Sequence, residues 1–175
     1  MTGARKLRGT ELKRLHRMWR ARVTGRLALI LDDVQGPFNV GAIVRTAATY
    51  RVDHVWLAGG TPDLGSDRVG KTALGTDRFL TASRVDSALD AVAAARDAGY
   101  QLVAIELAEG ATALHELTLD PDVCLVVGHE DHGVHRDVLG VVDAIAFLPQ
   151  LGRVGSLNVA TASALAMYEA RRRSW

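Results

Sequence analysis

The chain has 175 residues, 48% of them hydrophobic and 23% charged, with 21 Lys+Arg against 20 Asp+Glu for a formal net charge of +1. That is the make-up of one globular domain, large enough to bury a core and too short for two independent ones. No apolar run reaches the roughly 18 residues of a membrane span, Met1 to Arg8 lack the apolar stretch of a secretory signal, and the lone Cys124 allows neither an intrachain disulfide nor a Cys-rich zinc site. A cytoplasmic protein is expected.

Charge is unevenly placed. Residues 1–26 hold nine Lys/Arg against Glu11, a net +8, while the remainder carries 12 Lys/Arg and 19 Asp/Glu, a net −7. A basic arm (1–26) thus precedes an acidic body (27–175). Such an arm is the electrostatic footprint of a polyanion ligand, most often nucleic acid; the plain alternative is a solvated helix. Leu12, Leu15 and Trp19 recur at helical spacing, so the arm also has a stripe that could dock on the body.

From Leu27 onward strand and helix signals alternate, the pattern of an α/β domain with a mainly parallel sheet flanked by helices. Leu27–Leu31 reads as a buried strand, followed by a loop with Gly36 and Pro37 and a helix whose apolar face is Val40, Ile43, Val44 and Ala47. His54–Leu57 is a second strand; residues 61–81 form a long polar segment with Pro62, Gly65, Gly70 and Gly75, read as a functional loop. Ser87–Ala98 is helical, Gln101–Leu107 a strand, Thr112–Leu117 a short helix and Val123–Val127 a strand. His135–Val142 is read as helix and Ala144–Leu148 as strand. A last helix begins at Ser156 as its N-cap and is apolar nearly all round over Leu157–Tyr168, hence expected to be buried.

Three polar clusters fall at the carboxyl ends of predicted strands, where open α/β sheets bind ligands. The first, Asp32 to Gly41, is followed by Arg45, the lone charge in an apolar helix and so a group that is paired or faces a ligand; a surface position on an amphipathic helix is the alternative. The second is Gly128-His129-Glu130-Asp131-His132-Gly133, where glycines permit a sharp turn and Glu130 offers an acceptor; a plain tight turn is the alternative. Its histidines lack the spacing of a metal pair on a helix, so no metal is expected. The third runs from Leu148 to Asn158, with Ser156 and Asn158 at a helix start. No Gly-x-Gly-x-x-Gly and no phosphate-binding Gly-Lys-Ser/Thr loop is present, which disfavours dinucleotide and P-loop chemistry. Asp32-Asp33 after the first strand would also repel phosphate.

In this order the clusters resemble the three motifs of the SpoU (TrmH-like) family of RNA 2′-O-ribose methyltransferases in the SPOUT superfamily. Asn39-Val40-Gly41 through Arg45-Thr46-Ala47 resembles the first, Gly128-His129-Glu130 through Gly133 the second, and Leu148-Pro149 through Asn158-Val159, ending Tyr168-Glu169-Ala170-Arg171-Arg172, the third. The resemblance spans residues 27–173. It departs at Gln150, where the family usually has Met, and at His129.

The resemblance implies a C-terminal deep trefoil knot, which general topology rules make rare, a homodimer that buries the last helix, and S-adenosylmethionine held by backbone around Ile105, Gly128, Leu148 and Leu157. It implies methyl transfer to a ribose 2′-hydroxyl of RNA, with Arg45 at the hydroxyl and neighbouring phosphate and Asn39 orienting it. Glu130, Ser156 and Asn158 would shape the site. The basic arm and Arg171-Arg172-Arg173 fit a minimal enzyme, with tRNA favoured over rRNA. A non-catalytic RNA-binding or assembly protein retaining the fold is the competing reading.

Overall fold

The structure is a computed structural model that describes residues 3–175. Helix α1 (Gly9–Arg20) leads into strand β1 (Leu27–Asp32), helix α2 (Pro37–Thr49) and strand β2 (His54–Ala58). Next come α3 (Asp67–Ala73), a 3₁₀ turn at Asp77–Phe79, β3 (Ala82–Val85), α4 (Ala88–Asp97) and β4 (Gln101–Ile105). The remainder is β5 (Thr112–Ala113), β6 (Val123–Gly128), α5 (Arg136–Leu139), β7 (Ala144–Phe147) and α6 (Val159–Arg172).

The strands form one seven-stranded sheet in the order β3-β2-β1-β6-β4-β7-β5. Every pairing is parallel, with Leu27 opposite Val123 and Asp32 opposite Gly128 in the central pair. β1 and β6 are buried at all positions, because helices cover both faces and leave no polar side for alternation. Leu27, Leu29 and Leu31 point into one core with Ile43 and Val44 of α2, Val69 of α3 and Met167 of α6. Ala28 and Ile30 point into the other, with Ala91, Val92 and Ala95 of α4 and Val138 of α5. The strand period of two sorts one apolar run into two cores.

Four sequence readings need correction. The segment 61–81 is not simply a loop: Ser66 caps α3 by accepting from Val69 N, and the 3₁₀ turn follows. β3 carries no strand pattern in the sequence, since its Ala-Ser-Arg-Val is half-exposed at the sheet edge and its ladder partner β2 supplies the order. Thr112–Ala113 is a strand rather than the start of a helix, because pairing with Ala146 and Phe147 overrides local propensity. α6 begins at Val159 with Asn158, not Ser156, as its cap. It is also two-sided: Ser163, Ala166, Met167, Ala170 and Arg171 are buried, whereas Leu165 and Tyr168 are exposed.

The buried Arg171 anchors α6. Its guanidinium donates to the carbonyls of Tyr50, Gly25 and Arg51 and reaches Asp53 at 3.4 Å. Desolvation lowers its affinity for the proton, which the Asp53 charge partly offsets; four acceptors satisfy a charge that burial would otherwise penalise.

Candidate active site

An open cleft of about 270 Å³ lies at the carboxyl ends of β4, β6 and β7. Ile105, Gly128, Leu148 and Leu157, the four positions expected around the cofactor, all line it, as do Glu130 and Ser156. Each of the first three sits at or just past the end of its strand, so a parallel ladder brings distant segments to one rim. Leu157 arrives from the exposed stretch 151–158 that precedes α6.

The loop Gly128–Gly133 is closed on itself. His129 N donates to Gly133 O at 3.0 Å and Gly133 N to His129 O at 2.9 Å. A Cβ on Gly128 would stand 2.1 Å from the Gly133 carbonyl, so only glycine permits this approach. Gly133 has φ +69°, the left-handed region glycine adopts freely. Glu106, which also lines the cleft, accepts from Val134 N at 2.9 Å and packs where a Gly133 side chain would be. The histidines diverge: the rings of His129 and His132 stack with centroids 4.8 Å apart, while His135 turns to Asp32.

Glu130 draws the three sequence clusters together. Its carboxylate accepts from Gln35 N at 3.1 Å, Gly36 N at 2.8 Å and Asn39 Nδ2 at 2.8 Å. Asn39 Oδ1 accepts from Asn158 Nδ2 at 3.0 Å, and Asn158 Oδ1 caps α6 through Ala160 N and Thr161 N. A carboxylate only accepts and helix N–H groups only donate, so both amide orientations are dictated from the two ends of the chain. Burial pushes the Glu130 carboxyl upward, but the Asn39 amide and the backbone N–H groups outweigh it and hold it below the ordinary carboxylate range.

Arg45 is brought elsewhere. It is exposed on α2, its side chain makes no hydrogen bond or ion pair among the described residues, and it does not line the cleft. The expected orientation of Arg45 by Asn39 is not present. Six positions along a helix turn the two side chains about 120° apart, and both ends of the Asn39 amide are engaged by Glu130 and Asn158.

Two supporting groups escaped sequence reasoning. Asp32, buried at the end of β1, accepts from His135 N at 2.8 Å and His135 Nδ1 at 2.7 Å. This hydrogen bond, reinforced by the Asp32 charge, raises the pKa of His135. Asp33, at φ +57°, accepts from Gly60 N and Gln35 Nε2 and so shapes the turn that aims Gln35 and Gly36 at Glu130. Both acids open the first polar cluster of the sequence, Asp32 to Gly41, but no local spacing names His135 or Gly60 as their partners.

Residues 26–168 match the SpoU rRNA Methylase family. The chain is 32% identical over 149 residues to the tRNA (guanosine(18)-2′-O)-methyltransferase of Escherichia coli K12, covering 83% of this chain and 63% of that protein. The AdoMet-bound rRNA methyltransferase of Sinorhizobium meliloti superposes with a TM-score of 0.81 at 30% identity, over 88% of this chain and 59% of that one. A structure described as giving insight into the 2-OH methylation of C/U34 on tRNA superposes at 0.76 with 28% identity, over 85% of this chain and 96% of that one. The chain therefore spans less than two thirds of the first two relatives but nearly all of the third. With the family match running from the end of the basic arm into α6, across all three sequence clusters, this chain belongs to the SpoU rRNA Methylase family.

Proposed function

We propose that the protein methylates ribose 2′-hydroxyls of RNA with S-adenosylmethionine, with tRNA favoured over rRNA. The observation that carries this reading is the hydrogen-bonded chain Glu130–Asn39–Asn158, which ties one residue from each motif into a single rigid unit beside the cleft. The cleft fits the cofactor chemically: apolar side chains of Ile105, Leu148 and Leu157 suit an adenine ring, and the bare backbone at Gly128 allows close approach. When bound, S-adenosylmethionine supplies an electrophilic methyl carbon.

The protein's task is then to align the 2′-hydroxyl with that carbon and ease loss of its proton. Arg45 is exposed and uncommitted, which suits a bidentate grip on the phosphate beside the reacting ribose. Its guanidinium stays charged far above neutral pH, so it stabilises the developing alkoxide and the adjacent phosphate takes the proton. Asn39, Glu130 and Asn158 act as positioning residues that lock the turn at Gln35–Gly36 to the start of α6. Ser156, exposed at the rim, contributes a hydroxyl to the site wall.

The placement of β6 between β1 and β4, with β7 and α6 following it, supports the deep trefoil knot over the C-terminal segment. The uncovered Leu165 and Tyr168 of α6 support a homodimer seam along that helix. The decisive experiment is transfer of radiolabelled methyl from S-adenosylmethionine to separated tRNA and rRNA pools, followed by nucleoside identification. A labelled 2′-O-methylnucleoside is expected; cofactor binding with no labelled RNA, unmodified transcripts included, would favour a binding or assembly protein instead.

A further inference from the structure

The cleft is walled by negative charge. Glu106, Glu130 and Asp131 line it, and no Lys or Arg does among the described residues. The Glu130 carboxyl is held below the ordinary carboxylate range, and Glu106 is fixed in place by accepting from Val134 N and Leu107 N, each at 2.9 Å. Such a wall attracts the sulfonium and ammonium of S-adenosylmethionine. It repels the two phosphates that flank any ribose in an RNA chain. Arg45 on α2 answers for one of them, and the other needs a cation of its own.

Arg153 is placed to supply it. It lies midway between Gln150 and Ser156, which both line the cleft, and no other Lys or Arg of the chain is bracketed in this way. Three residues of extended chain span at most about 10 Å, so the Arg153 backbone stays within that distance of the rim on either side. Its side chain is exposed and makes no hydrogen bond or ion pair among the described residues.

The strap that carries Arg153 is itself unpacked. Phe147 O accepts from Leu114 N at 2.9 Å at one end, and Asn158 is held by Asn39 at the other. Residues 148–157 between them make no hydrogen bond among the described residues. Leu151 is fully exposed and Val154 is 75% exposed. A segment with so few contacts shifts at small cost, so the guanidinium can follow an incoming phosphate and meet two of its oxygens with one edge. The cofactor's carboxylate is the other anion at this site. S-adenosylmethionine arrives as a net cation, however, and needs no help against an acidic wall, whereas a polyanion does.

We propose that Arg153 binds the second phosphate flanking the reacting ribose, the one that Arg45 does not grip, and so admits RNA to an acidic cleft. This rests on the reading of the protein as an RNA 2′-O-methyltransferase, and binding measured without cofactor separates the two. The probe is bulk tRNA titrated at several salt concentrations. Arg153→Ala should weaken binding about 5- to 20-fold and lower the slope of log affinity against log salt by about 1. Arg153→Lys should keep the slope, because the charge stays, and recover only part of the affinity, because an ammonium lacks the bidentate edge. In methyl transfer, Arg153→Ala should raise KM for tRNA while kcat stays within about twofold, since the grip is made before the reaction. Affinity for S-adenosylmethionine and the unfolding midpoint should match the parent, as expected of an exposed, unpaired side chain.

Parental tRNA affinity and salt slope in Arg153→Ala would overturn the assignment. So would a loss of affinity for S-adenosylmethionine, which gives Arg153 to the cofactor's carboxylate, or a dimer that Arg153→Ala converts to monomer, which gives it to a second copy. A weakened, flatter tRNA titration in a protein that transfers no methyl would leave Arg153 on the phosphate and sink the methyltransferase reading alone.

Discussion

The side-chain amide of Asn158 donates to Oδ1 of Asn39 at 3.0 Å, joining residues 119 positions apart in sequence. One link further, Asn39 Nδ2 reaches Glu130 at 2.8 Å. The start of α6 is thus tied to the start of α2 through two amides whose orientations leave no freedom, and any loosening at one end is felt at the other.

Glu130→Ala removes the acceptor of two backbone N–H groups and of Asn39. A partly buried donor left without a partner costs about 1–3 kcal/mol, and water at the cleft rim offsets part of this. Urea unfolding should show a loss of about 2 kcal/mol, with Glu130→Gln milder because it keeps a carbonyl acceptor. A variant as stable as the parent would mean that water replaces the carboxylate fully.

Arg45→Ala should act on activity alone. The side chain is exposed and unpaired, and such substitutions change stability by only about 0.5 kcal/mol or less. Methyl transfer should be lost while affinity for S-adenosylmethionine stays within a few-fold by calorimetry. Loss of cofactor affinity instead would move Arg45 from the RNA side to the cofactor side.

Two groups make stability depend on pH in opposite directions. Asp32 raises the His135 pKa above its ordinary 6.5, so the pair's contribution is full below that value and is lost as pH rises through the folded value. Glu130 lies below its ordinary 4.5, so its contribution is full above that value and is lost as pH falls through the folded value. Unfolding midpoints measured across this range should decline on both flanks. Asp32→Asn should flatten the alkaline limb and spare the acid one; an unchanged alkaline limb would show that His135 does not report on Asp32.

Deleting residues 1–22 should weaken RNA binding and reduce the slope of log affinity against log salt. No residue of α1 is buried, so the body should keep its unfolding midpoint. An unchanged salt slope would remove the arm from the interface.

Much of the architecture is legible locally. The run Leu27–Leu31, the alternation of apolar strand and amphipathic helix, and the glycine-bounded segment 128–133 specify a parallel sheet and mark its carboxyl ends as the place of chemistry. These features follow from periodicity and from which backbone angles each residue tolerates, properties a short segment carries by itself. Ile105, Gly128, Leu148 and Leu157 are named by the resemblance of the three motifs to the family, not by local periodicity.

Tertiary structure alone decided the rest. β3 and β5 exist because neighbouring strands complete their hydrogen bonds, and Asn158 rather than Ser156 caps α6 because its amide is also held by Asn39. That Glu130 meets Gln35, Gly36 and Asn39, that Arg45 stands apart from them, and that Trp19 meets Trp175 depend on contacts between segments remote in sequence. Such pairings follow from how helices and strands pack after the chain folds, and no local pattern encodes the partner.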